Sequence, residues 1–90
     1  MLVRVHVFIE GRVQGVSFRW ATRMNARTKH VNGWIKNLND GRVEIILEGE
    51  QQMVDAMLDF CRNGPPGARV TRFQVIRGEQ IENYKNFEIY

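Results

Sequence analysis

Residues 33–48 read GWIKNLNDGRVEIILE. Asn39-Asp40-Gly41 separates two strand-like runs, and Asp-Gly supports the positive φ that a tight hairpin turn needs. Segments 33–38 and 42–48 are therefore predicted to be neighbouring antiparallel strands. Before the hairpin, Ser17 is a favourable N-cap, and a helix is expected from there to about His30, with a thin apolar stripe of Phe18, Ala21 and Met24. After it, Gly49 ends the strand. Residues 50–62 set Met53, Met57 and Phe60 beside Val54, Leu58 and Cys61, a broad apolar face at helical spacing. Asn63-Gly64-Pro65-Pro66-Gly67 stops that helix.

Two strands flank this centre. In residues 2–10, LVRVHVFIE, the residues Val3, Val5, Val7 and Ile9 alternate with Arg4, His6, Phe8 and Glu10, so one face is buried. Residues 69–77, RVTRFQVIR, form another strand, and the tail 86–90, NFEIY, a short last one. The order is β-α-β-β-α-β plus an extra strand. Two split βαβ units sharing a hairpin give a ferredoxin-like α/β (α+β) sandwich: an antiparallel sheet with both helices on one face. At 90 residues the whole chain, 1–90, is expected to be one domain. A chain of this size buries roughly 64% of its extended surface. Any active site is then shallow and lies at an edge.

Composition excludes several classes. No apolar run approaches the roughly 20 residues of a membrane span. The alternating N-terminus does not read as a signal peptide. A single cysteine, Cys61, excludes an internal disulfide and a cysteine zinc cage. These features favour the cytoplasm. The net charge of +3 comes from interleaved acids and bases with no long basic run, which suits a small anion better than a nucleic acid.

Topology then gathers polar residues. The first strand ends at one pole, the first helix runs back, and the second strand rises again. The Gly11–Ser17 loop, Arg19 in the first helical turn and Asn37 at the end of the second strand should share that pole. Helix N-terminal amides lack intrahelical partners and carry partial positive charge. A glycine-containing loop before them can curl its N–H groups around an anion. Arg19 can fork two hydrogen bonds onto a phosphoryl group. Taken singly, each feature has a plainer explanation: glycines serving a turn, Arg19 on a solvated face, Asn37 bonding local backbone.

The missing groups narrow the reaction. The spacing departs from G-x-x-x-x-G-K-[ST], and there is no G-x-G-x-x-G. Cys61 lies on an apolar helix face, and the arginine a phosphocysteine loop needs six residues later is replaced by Gly67. His6 and His30 lack metal-ligand spacing. His30 sits at a helix end, where its positive form suits the dipole. A cradle, one arginine and one amide can hydrolyse only an ester or anhydride whose leaving group departs unaided. A carboxylate qualifies, because its pKa is about 4.

Gly11-Arg12-Val13-Gln14-Gly15-Val16-Ser17-Phe18-Arg19 closely resembles the acylphosphatase signature G-x-V-Q-G-V-x-F-R. Gly33-Trp34-Ile35-Lys36-Asn37-Leu38, with Asp40-Gly41 and Val43-Glu44 after it, resembles that family's second block, and Asn86-Phe87-Glu88-Ile89-Tyr90 its terminus. The resemblance implies hydrolysis of acyl phosphates to carboxylate and inorganic phosphate, without metal, cofactor or covalent phosphoenzyme. It implies that Arg19 is the phosphate-binding catalytic arginine and that Asn37 orients the attacking water. It also implies that the main-chain amides of Arg12, Val13, Gln14, Gly15, Val16 and Ser17 cradle the phosphate. Position 17 is often glycine in the family and is serine here. The expected partners are the acyl phosphate and inorganic phosphate, with no membrane, nucleic acid or obligate protein partner. The terminal strand is further expected to bring the Tyr90 carboxylate to Arg19. The rival reading is a non-catalytic ferredoxin-like module that binds RNA or a small anion. Phe8 and Trp34 would then stack bases, although RVEIILE lacks the aromatic RNA-binding motif.

Overall fold

The structure is a computed structural model and describes residues 1–90. The elements are β1 (Leu2–Arg12), α1 (Phe18–Thr28), β2 (Asn32–Asn37), β3 (Val43–Glu50), α2 (Gln51–Asn63), β4 (Arg69–Arg77) and β5 (Phe87–Ile89). They form a five-stranded sheet in the order β4-β1-β3-β2-β5. The β1–β3, β1–β4 and β2–β3 pairs are antiparallel, as a ferredoxin-like sandwich requires. The short extra strand expected at the C-terminus, β5, runs parallel to β2, so the sheet is mixed.

Val5, Val7 and Ile9 of β1 meet Ile35 of β2 and Val43, Ile45 and Leu47 of β3 in one core. Phe18 and Ala26 of α1 and Val54, Met57, Leu58 and Cys61 of α2 close it from above. The α1 stripe differs from expectation. Its buried residues are Phe18, Thr22 and Ala26, while Met24 is exposed. Thr22 tolerates the core because its hydroxyl donates to the Phe18 carbonyl at 2.8 Å.

β1 runs two residues past its predicted end. A register shift between Glu10 and Gly11 lets Arg12 pair with Arg69 of β4. Gly33 sits where β2 and β3 nearly touch. A Cβ there would lie 2.0 Å from the Ile46 carbonyl oxygen, and its φ is 138°, so only glycine fits.

β4 and β5 lie on opposite edges. The connection 78–86 must therefore cross the whole sheet, about 19 Å at the usual strand spacing. It does so on the face away from the helices. Glu48 accepts hydrogen bonds from the main-chain amides of Glu82 (2.7 Å) and Tyr84 (3.2 Å). Asn32 Nδ2 donates to the Tyr84 carbonyl, and Trp34 Nε1 to the Tyr84 hydroxyl. Arg4 reaches both Glu48 (3.0 Å) and Glu79 (3.3 Å).

Candidate active site

The chain between β1 and α1 is anchored by its apolar side chains and leaves its amides free. Val13 and Phe18 are buried, and Val16 packs against the core. Gly15 (φ 75°) and Ser17 (φ 61°) take positive φ on either side of Val16, which does not. Alternation of this kind turns successive N–H groups toward one concave side, the nest that binds anions. The main-chain amides of Val13 to Ser17 donate to no acceptor in the protein, and neither do those of the first helical turn, Phe18 to Trp20. Ser17 does occupy the N-cap position, but it makes no side-chain cap bond. Its left-handed backbone follows the turn of the loop, not the needs of the cap.

Gln14 is turned away from this concavity. Its Nε2 donates to the carbonyls of Leu38 (2.8 Å) and Arg42 (2.9 Å). The side chain thereby ties the loop to the β2–β3 turn, where Leu38 N also donates to Arg42 O. The turn itself is wider than the Asp-Gly reading suggests: of its residues only Gly41 takes positive φ, and the Asp40 carboxylate accepts from Arg42 N and Nε. Those Arg42 contacts, the main-chain amide first, hold the Asp40 carboxyl below its ordinary range.

Asn37, the last residue of β2, therefore stands beside the loop. A cavity of about 190 Å³ is lined by Val13, Gly15, Ser17, Phe18, Arg19, Trp20, Asn37 and Ile89. Arg19 is the single charged residue of this lining. Its Nη1 donates to the main-chain oxygen of Tyr90 at 3.1 Å. Because β5 runs parallel to β2, its end arrives at the same pole, and Tyr90 N extends the pairing by donating to Ile35 O. The amide oxygen of Asn37 is buried and has no hydrogen-bond partner, a costly condition for a carboxamide that nothing is to engage.

Of the residues expected to offer main-chain amides, Val13, Gly15 and Ser17 line the cavity, Arg12 belongs to β1, and the side chains of Gln14 and Val16 turn to the hairpin and the core. Conversely, sequence reasoning did not single out Trp20, Ile89 or the clamping role of the Gln14 side chain.

Cys61 lies in the core, and burial pushes its thiol up to about 12, against a smaller opposing effect of Thr22. It is protonated at neutral pH and is not among the residues that line the cavity. The base-stacking alternative fares no better. Phe8 is covered by the Arg42 guanidinium at 4.9 Å and by His6, while Trp34 carries Lys36 over its ring and bonds Tyr84.

A ferredoxin-like sandwich with acceptor-free main-chain donors and an arginine at the start of its first helix defines a small α/β domain with an open cavity at one pole. The acylphosphatase family model matches residues 5–89. The chain is 46% identical to an acylphosphatase of Thermococcus kodakarensis over 97% of its own length and 94% of that protein. It is 45% identical to one of Syntrophus aciditrophicus, covering 99% and 93%. The crystal structure of acylphosphatase from Bacillus subtilis superposes with a TM-score of 0.93 at 37% identity, covering 100% of this chain and 99% of that one. The chain belongs to the acylphosphatase family, and it is a hydrolase of acyl phosphates.

Proposed function

We propose that Arg19 and the main-chain amides of Val13 to Ser17 hold the phosphoryl group of an acyl phosphate while Asn37 orients the attacking water. The water oxygen forms a bond to phosphorus in line with the bond that breaks. That bond joins phosphorus to the acyl oxygen, which leaves with its electron pair as a carboxylate. One water proton passes to solvent, and the products are carboxylate and inorganic phosphate. The leaving group needs no proton, so no general acid is required near neutral pH. Catalysis consists of positioning and charge stabilisation.

The observation that carries this reading is that Asn37, whose Oδ1 has no hydrogen-bond partner in the protein, lines the same cavity as Arg19 and a run of acceptor-free amides. The Arg19–Tyr90 contact supports a second role, in which the end of β5 holds the guanidinium toward the phosphoryl group. Residues 1–90 act as one domain in this reading, with the acyl phosphate and phosphate as partners. The single free and buried thiol suits a cytoplasmic setting.

The test is to incubate the protein with benzoyl phosphate and follow the loss of its ultraviolet absorbance. Turnover is expected to persist in excess chelator and to be inhibited competitively by inorganic phosphate. A chelator-abolished reaction, or a covalent phosphoprotein trapped on acid quench, contradicts the mechanism.

A further inference from the structure

We infer that Trp20 contacts the acyl group of the substrate and biases the enzyme toward aromatic acyl phosphates. The inference rests on the acyl phosphate reading above. The cavity, about 190 Å³, is open to solvent, and a phosphoryl group held at the loop amides leaves its acyl group directed to the opening. The acyl group must then lie at the rim, and the rim decides what it meets. Trp20 lines the cavity beside Arg19, yet 56% of its surface is exposed. The fold buries its other large cavity-lining aromatic, Phe18. Met24, one helical turn further along the same side of α1, is also exposed, at 45%. An apolar strip thus leaves the cavity along a helix whose other exposed positions, Arg27 and Thr28, are polar. Ile89 adds a second apolar wall. Arg19 is the lining's one charge, so an acyl group bearing a second charge gains no partner there, whereas a ring gains an indole face.

The experiment measures kcat and KM for benzoyl phosphate and acetyl phosphate in wild type, Trp20→Ala and Trp20→Phe. Offset stacking of this kind corresponds to about three- to tenfold in kcat/KM. Trp20→Ala is expected to lower the benzoyl-to-acetyl ratio of kcat/KM by that factor, mainly through the KM for benzoyl phosphate. Trp20→Phe should restore most of it, and the inhibition constant of inorganic phosphate should stay put. The site is an exposed helix position where alanine is favourable, so the variant should fold. An unchanged ratio in an active Trp20→Ala overturns the inference and leaves the hydrolase mechanism standing. An equal loss on both substrates with weaker phosphate inhibition also overturns it, because Trp20 would then support the phosphate cradle. A wild type that self-associates through Trp20, by sedimentation, with an unaltered ratio assigns the strip to a second copy instead. Wild-type inactivity toward both substrates removes the acyl phosphate reading along with this one.

Discussion

Asn37 Oδ1 is buried without a donor, while Arg19 keeps most of its guanidinium free beyond one bond to Tyr90. The two residues should therefore fail differently. In the proposed mechanism Arg19→Ala removes a ground-state and transition-state contact together, so phosphate inhibition should vanish and kcat/KM fall by at least about a hundredfold. If Asn37 positions the water as proposed, Asn37→Ala should lower kcat by about a hundredfold while KM moves little. Steady-state kinetics on both variants separates the roles, and an intact kcat in Asn37→Ala would remove the water-orienting one. Their meeting in one cavity was legible in the sequence, because the signature loop and the hairpin fix their positions in the chain. Ser17 was only half legible. A serine before a helix reads as a cap, yet φ of 61° makes this a glycine-like position with no cap bond. Ser17→Gly should relieve that strain and raise stability by up to about 1 kcal/mol, after glycine's entropy is deducted. Denaturant melts check this, with activity expected to persist.

At the scale of elements, the segments of the ferredoxin-like order were readable because each has a clear period or a clear stop. Their faces were less so. The stripe Phe18, Ala21, Met24 assumes that threonine stays outside. Thr22 goes inside because the Phe18 carbonyl satisfies its hydroxyl within the helix, and α1 turns accordingly. That rotation is what leaves Met24 in solvent. The join between loop and hairpin was also hidden, since nothing in the residue type says that Gln14 bonds carbonyls more than twenty residues away. Gln14→Ala should therefore act on two elements at once. Losing both bonds should lower stability by about 1–3 kcal/mol. It should also lower kcat by roughly tenfold or more, because the cradle and Asn37 lose their common brace. Calorimetry and kinetics on the same preparation test the pairing. Loss of stability with full kcat would mean that the brace does not set the site.

Across the whole molecule, the ferredoxin-like order of elements was legible in the sequence, but the crossing of residues 78–86 was not. GEQIENYKN has no period, and its attachment relies on main-chain amides meeting a carboxylate on β3. The acids and Arg4 on the outward face of the sheet were the available signal, since a face left to water has no need of Glu48 at 5% exposure. Burial alone would raise the Glu48 carboxyl, but the amides of Glu82 and Tyr84 and the Arg4 guanidinium outweigh it and hold the carboxyl below its ordinary value of 4.5. Glu79 is lowered as well, chiefly by its bond to His6, with Arg4 adding to it. A depressed carboxyl means that the unfolded chain binds a proton more readily than the folded one. The stabilisation is therefore complete above the unfolded value and is lost as pH falls through the folded one. Denaturant midpoints taken from pH 7 down to pH 3, in steps chosen for this range, should fall steeply on the acid side in wild type. Glu48→Gln should start about 2–3 kcal/mol less stable at neutral pH, show a flatter acid limb, and approach wild type at the lowest pH. Amide exchange at Glu82 and Tyr84 should speed up in the same variant. If the stability gap between the two proteins instead stayed constant across that range, the crossing segment would be held by packing and not by the charge of Glu48.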